Sequence, residues 1–326
     1  METLFQLKEN FNLKPLGQEH AWGQLQSLFL QNKLAGSFVF SGPKGIGKKT
    51  TALAFFQWVN CERKNHPENL QDVNATKYNE ACGNCSPCIK TAKLCHLDLT
   101  IISPRGEQIV IEDLREMQKT MFFAPLDNGR FRLIVIDDAH KLNHTSANSL
   151  LKILEEPPHH TRFVLVTHEP GLLLPTIASR CQFLAFSPLS EENLSLVLKK
   201  LNIEFPQDIK EKCLNLLSGG VENACFLAQD DTIKFLRDLE KINLQSWQAV
   251  VSFADSLSTQ NWKMELFLDN ILLQSYAQAK TSINDPRKAY KFSEIGMNAS
   301  YLRDRLSHYA NKKLIALACA KLGQNL

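Results

Sequence analysis

The sequence predicts an α/β domain on a parallel sheet, followed by a helical lid and an all-α C-terminal region. Three observations predict it. Five short apolar runs alternate with stretches of helical periodicity up to residue 187, the pattern of a parallel sheet covered on both faces. A glycine-rich loop, Gly42-Pro43-Lys44-Gly45-Ile46-Gly47-Lys48, follows the first of those runs and opens a helical stretch. From Ser187-Pro188 to Leu326 the periodicity stays helical, with no convincing strand. A length of 326 residues suggests two or three domains. The expected divisions are residues 1–187, a lid at 188–230 and a helical domain at 231–326. With 44% hydrophobic and 22% charged residues, bulk disorder is excluded, and 14 Gly and 13 Pro exclude a collagen-like chain. A net charge of +3 is too mild to announce nucleic-acid binding by itself.

The elements follow in order. Residues 37–40 form the first strand candidate, and residues 50–59, compact and apolar, form the helix beyond the glycine loop. Residues 97–102 are the second strand candidate. Ile111, Leu114, Met117 and Met121 recur at helical spacing. Residues 133–136 are a buried strand ending in Asp137-Asp138. Ala147, Leu150, Leu151 and Leu154 mark one face of a helix. Pro157-Pro158 stops it, because proline lacks the amide donor and clashes with the preceding turn. Residues 163–166 and 182–186 complete the strands. Ser190-Glu191-Glu192-Asn193 opens a helix with acids near its positive end, and Gly219-Gly220 marks a break. Residues 266–276 and 314–320 are apolar-periodic stretches of a bundle. Residues 280–326 carry a net +6 and the remainder −3. That basic stretch could face DNA or form a solvated helix face, and no interleaved aromatics favour DNA.

Residues 1–12 hold no apolar core of signal-peptide length, and no run approaches ~18 apolar residues, so a cytoplasmic chain without a membrane span is expected. Nine cysteines, an odd number, then read as reduced thiols.

The spacing Gly42-x-x-x-x-Gly47-Lys48 is that of a phosphate-binding loop. Gly42, Gly45 and Gly47 let backbone N–H groups curl around an anion, and Lys48 would reach the β- and γ-phosphates. The next position departs from the pattern. A hydroxyl there would bind Mg²⁺, but the residue is Lys49, with Thr50 and Thr51 out of register. Residues 133–138 resemble a Walker B strand, in which Asp137 would hold a metal through water. Asp138 stands where hydrolytic members carry a glutamate and is one methylene shorter. A misplacement near 1 Å can cost on the order of 100-fold in rate.

Cys82-x-x-Cys85-x-x-Cys88 offers three thiols to a tetrahedral metal, and Cys61 or Cys95 could supply the fourth. Cys181, Cys213, Cys225 and Cys319 are scattered and read as small core residues. His140, His144, His159, His160 and His168 show no spacing that supports a metal or acid–base role, and His159-His160 is expected to be solvated. Thr167 ends its strand. Arg180, taken alone, reads as a surface arginine paired with a carboxylate.

The run Asn148-Ser149-Leu150-Leu151-Lys152-Ile153-Leu154-Glu155-Glu156-Pro157-Pro158, then Phe163-Val164-Leu165-Val166-Thr167 and Ser179-Arg180-Cys181, resembles the AAA+ clamp-loader subunits of bacterial DNA polymerase III. The likeness covers about residues 15–230 and is nearer to the delta-prime type than to the tau/gamma motors. It implies a RecA-like AAA+ module with a zinc knuckle inserted at 61–95, a lid and an oligomerising collar. It implies a structural Zn²⁺ on Cys61, Cys82, Cys85 and Cys88, with Cys95 packed. Gly42, Gly45, Gly47, Lys48, Thr50, Asp137, Asp138 and Thr167, near the family's sensor-1 position, would form a degenerate ATP site. Glu222 falls where motor subunits carry a sensor-2 arginine. Arg180 would be an arginine finger acting in trans. The implied protein is a stator with little or no ATPase of its own, working with tau/gamma and delta to load a sliding clamp onto primed DNA. Any polymerase or nucleotidyltransferase activity would belong to the holoenzyme. The competing reading is an ATP-hydrolysing tau/gamma-type motor.

Overall fold

The computed structural model describes residues 12–13, 15–62, 80–126, 130–242, 245–306 and 312–324. Most of the long insertion after Cys61, residues 63–79, lies outside them. The chain divides into two compact units, Met1–Asn202 with Gly219–Glu222, and Ile203–Ser218 with Asn223–Leu326. The segment 188–230, expected as a lid, contributes to both.

In the first unit the order is α1 (Glu19–Leu30), β1 (Ser37–Ser41), α2 (Lys48–Val59), α3 (Ser86–Ala92), β2 (Leu99–Ile102), α4 (Ile111–Thr120), β3 (Arg132–Ile136), α5 (His144–Glu155), β4 (Thr161–Thr167), α6 (Pro175–Ala178), β5 (Gln182–Ala185) and α7 (Glu191–Lys200). The five strands form one parallel sheet in the order β2-β3-β4-β1-β5. Alternation along each strand sends successive side chains to opposite faces. Phe38, Phe40, Leu133, Val135, Val164 and Val166 pack on the face shared with α1 and α2. Val39, Ile134, Ile136, Phe163 and Leu165 pack on the other, against Leu114 and Met117 of α4 and Leu150 and Leu154 of α5. Both faces are buried, which is why the strands read as unbroken apolar runs.

A buried ion pair ties β3 to the loop before β2. Arg132 Nη2 lies 3.2 Å from Asp98 Oδ1, and Asp98 also accepts the backbone N–H of Leu126. The other guanidinium nitrogen donates to the carbonyl of Thr120, at the end of α4. The helix opening expected at Ser190 is present, and it is capped: Ser190 Oγ accepts from the N–H of Asn193.

Register decides where chemistry can gather. Ser41 pairs with Thr167, Ile136 with Leu165, and Ile102 with Ile136, so the C-terminal ends of β1, β3 and β4 lie side by side. In parallel sheets ligands bind beyond those ends.

The second unit is helical: α8 (Lys210–Leu217), α9 (Ala224–Leu227), α10 (Asp230–Lys241), α11 (Trp247–Ser258), α12 (Asn261–Thr281), α13 (Pro286–Arg305) and α14 (Lys312–Gln324). Here α12 packs on α13 and α11 on α14. Ser246 and Asp285 cap α11 and α13 through side-chain oxygens that accept from Ala249 and Lys288 N–H groups. Among the described residues, no helix is long and apolar enough to cross a membrane.

Candidate functional site: a phosphate loop, an acidic strand end and a thiol cluster

The glycine loop joins β1 to α2. Gly42, Gly45 and Gly47 have φ of 148°, 68° and 94°, a conformation that costs glycine no steric penalty. Gly47 is the N-cap of α2, and Lys48 is its first residue. Lys48 is buried. Its Nζ donates to the carbonyl of Gly42 at 2.6 Å and to that of Pro43. Burial lowers the Lys48 pKa to about 8, against the opposing pull of Glu222, Asp137 and Asp138. Gln18 braces the loop, donating to the carbonyls of Ile46 and Ser187 at 3.1 and 2.8 Å.

Gly219–Glu222 lies directly against this loop. Val221 N–H donates to the Gly45 carbonyl at 3.0 Å. A Cβ on Gly220 would stand 2.1 Å from the Lys44 carbonyl oxygen, and one on Gly45 would stand 2.4 Å from the Glu222 nitrogen. Backbone therefore meets backbone here, which explains Gly220; Gly219, at φ 78°, instead lies against Pro188 and Leu189. Glu222, at the expected sensor-2 position, is the acid that acts most strongly on Lys48.

The residue after Lys48 is decisive. Lys49 Nζ lies 2.9 Å from Asp137 Oδ2, both side chains mostly buried at 26% and 20% exposure. In P-loop hydrolases a hydroxyl and the acidic strand end hold Mg²⁺. Here an ammonium sits on the carboxylate that would serve that ion, so in this arrangement the residues do not fit it. Thr50 is half-buried on α2, and Thr51 donates back to the carbonyl of Gly47 at 2.9 Å.

Asp138 has φ 48° and ψ 48°, left-handed geometry that few non-glycine residues adopt. Burial opposes its ionisation. The Lys141 ammonium at 3.3 Å outweighs that and holds its pKa below the usual carboxylate range. Thr167, at the end of β4, shares a hydrogen bond of 3.2 Å with His140 Nδ1. His168 also lies here, its ring 4.3 Å from that of His140. Sequence spacing gave no reason to join these histidines. The pairing of β3 with β4 supplies it, because each histidine lies just beyond the end of its strand.

Arg180 lies elsewhere. Its Nε donates to Glu155 Oε2 at 3.2 Å, and the guanidinium also reaches the Thr176 carbonyl. Because β5 runs parallel to β1 with Gln182 opposite Phe38, Arg180 is level with the start of β1. The phosphate loop follows its other end, about six strand positions or roughly 20 Å away.

The thiols of Cys61, Cys82, Cys85 and Cys88 converge to within 4.8 Å of one another. Cys82 Sγ is 3.9 Å from Cys88 Sγ, and Cys85 Sγ is 3.9 Å from Cys61 Sγ. Gly83, at φ 72°, turns the chain so that the N–H groups of Asn84 and Cys85 donate to Cys82 Sγ. Burial works against the Cys82 thiolate, but those donors outweigh it and bring its pKa to about 7. Cys88 is driven well up by burial, then by its bond to Cys85 and the neighbouring thiols. Four soft donors with N–H support fit a tetrahedral zinc, whose charge would ionise the thiols outright. Cys88, in the first turn of α3, is tied to α2 by Gln57, which donates to its carbonyl at 2.9 Å. Cys95 is exposed and outside this group, not packed as expected. Cys225 is also exposed, whereas Cys213 and Cys319 are buried and Cys181 is half-buried.

A parallel sheet that carries a phosphate loop after β1 and an acidic end on β3 defines a P-loop nucleotide-binding type of domain. Residues 17–190 match the model of the family described as DNA polymerase III, delta subunit. The chain belongs to that family and is homologous to the tau/gamma subunits of DNA polymerase III. It is 31% identical to the tau subunit of Bacillus subtilis over 70% of its own length and 38% of that protein. It is 30% identical to the gamma subunit of Buchnera aphidicola, over 87% of this chain and 72% of that one. The chain thus spans well under half of the Bacillus relative. A crystal structure of a gamma subunit-related protein from Thermotoga maritima aligns with a TM-score of 0.47 at 17% identity, over 92% of this chain and 98% of that one.

Proposed function

We propose that this chain is the delta-prime type of AAA+ subunit in the DNA polymerase III clamp loader, a stator with little or no ATPase of its own. The observation that carries this is the Lys49–Asp137 ion pair, which puts a cation where a nucleotide-bound metal would be held. Asp138 in place of a glutamate, and Glu222 beside the loop lysine, act in the same direction. The chain's own phosphate loop is folded in on itself: Lys48 donates to Gly42, and Val221 donates to Gly45.

Arg180 is then the group that serves catalysis, in trans. Its place at the far end of β1 keeps it from its own loop and leaves it, with Glu155 as its resting partner, free to meet another protomer's nucleotide. Such an arginine stabilises charge on the transferring phosphoryl group and is worth ~10³–10⁵ in rate. The four cysteines hold a structural Zn²⁺ that fixes the segment after α2. The partners are tau/gamma motors and delta, with the sliding clamp and primed DNA reached through the assembly.

Reconstitution with tau/gamma and delta tests this. Arg180→Ala should lower DNA-stimulated ATPase by the share of the one site it faces, while the isolated chain hydrolyses almost nothing. Unchanged turnover in the reconstituted variant removes the trans role. The matched relatives named tau and gamma favour one second reading, a motor subunit. It requires steady ATP hydrolysis by this chain alone, abolished by Lys48→Ala.

A further inference from the structure

Beyond the nucleotide loop and the thiols, the ends of β3 and β4 bring a third group of ligand-type side chains together. We propose that Asp138, His140 and His168 form a second metal site, which takes a borderline divalent cation of the zinc class. The site stands independently of the clamp-loader reading.

One ligand atom from each of the three residues lies within 4.8 Å of the others. Donors bound to zinc at about 2.0–2.2 Å stand about 3.4 Å apart at tetrahedral corners, and no more than about 4.2 Å apart in any geometry. Asp138 Oδ1 and His168 Nδ1 are already 3.5 Å apart. Modest side-chain rotation closes the rest. Two imidazoles and a carboxylate suit zinc better than magnesium or calcium, which prefer all-oxygen shells.

The surroundings orient these ligands. Glu169 stands beside both rings, its Oε1 3.6 Å from His168 Nε2 and its Oε2 3.9 Å from His140 Nε2, close enough to orient a ligand ring once a cation draws the group together. His140 Nδ1 meets Thr167 Oγ1, which itself accepts the N–H of Glu169 at 3.0 Å. The left-handed backbone of Asp138 is the kind of local strain that gathers at functional sites. Two cations oppose the site. Lys141 pairs with Asp138 Oδ2, and Lys44 of the phosphate loop acts on both rings. Lys44 is exposed and can swing away, and Lys141 leaves Oδ1 of Asp138 facing His168.

A cation here would pin the ends of two adjacent strands and engage Asp138 against any role toward water. The test equilibrates the full chain with zinc, removes the excess and measures zinc per chain for wild type, His140→Gln, His168→Gln and the double variant. Each variant should carry one equivalent less than wild type. Glu169→Gln should retain the site with affinity reduced about 10- to 100-fold. Equal zinc content in wild type and the double variant overturns the proposal. All these chains keep the four cysteines, so the difference reads the histidine site whether or not the thiols hold a zinc. If a histidine variant fails to fold, cobalt titration of the wild type decides. A species with d–d absorption and no thiolate charge transfer supports the site, and its absence overturns it.

Discussion

Replacing Lys49 with threonine should convert a closed metal position into an open one. At an effective dielectric near 20, two unit charges 4 Å apart interact by about 4 kcal/mol, and an ammonium facing a divalent ion by about twice that. Lys49 and Asp137 are a quarter and a fifth exposed, so solvent screening is partial and that dielectric applies. The lysine can also swing aside, which makes the figure an upper bound. If only a quarter of it survives, about 2 kcal/mol, the Kd for magnesium nucleotide falls about 30-fold. The threonine also restores a hydroxyl ligand next to Lys48. The assay is titration of wild type and Lys49→Thr with a fluorescent ADP, with Mg²⁺ and then with EDTA. The variant should gain affinity only when Mg²⁺ is present. It should still hydrolyse slowly, because Asp138 and Glu222 remain. An unchanged Mg²⁺-dependent affinity would refute the idea that Lys49 occupies the metal position.

Three other expectations follow from the geometry. Asp98→Ala strands the buried Arg132 guanidinium and should cost about 3–5 kcal/mol. At about 2–4 °C per kcal/mol for a domain of this size, the melting temperature of the first unit should fall by roughly 6–20 °C in calorimetry. Gly220→Ala forces its Cβ against the Lys44 carbonyl, so the loop and Gly219–Glu222 must separate. Destabilisation of about 1–3 kcal/mol and faster hydrogen exchange in residues 42–48 should result. Lys48 loses its proton near pH 8 in the native chain but near 10.5 when unfolded. The unfolded state then binds more protons between those values, so this residue makes stability rise with pH across that window. Lys48→Met should flatten that part of the denaturation profile relative to wild type.

Much of the first unit was legible in the sequence because it rests on local signals. Apolar runs marked all five strands, the glycine spacing marked the loop, and Pro157-Pro158 marked the end of α5. The Cys82-x-x-Cys85-x-x-Cys88 spacing marked the thiol cluster, and the convergence of Cys61 on it depends on where α2 ends. What escaped was long-range. Lys49 read as a missing hydroxyl, but its pairing with Asp137, 88 residues away, needs β1 and β3 in one sheet. His140 and His168 meet only through the register of β3 with β4. The contact of Gly219–Glu222 with the phosphate loop has no local signature beyond two glycines. Cys95 and Cys225 are exposed, because composition alone does not decide which face of a turn or helix a small side chain occupies.

One helix, α2, begins at the lysine of the phosphate loop and ends one residue short of Cys61. Twelve residues at 1.5 Å each make it a strut of about 18 Å between two chemistries. An oxidant acting on the sulfurs would loosen the far anchor of that strut without touching the loop. A chain damaged in this way would still fold its sheet yet hold Gly42–Lys48 less firmly, so harm to the thiols would be felt first as a slackened glycine loop.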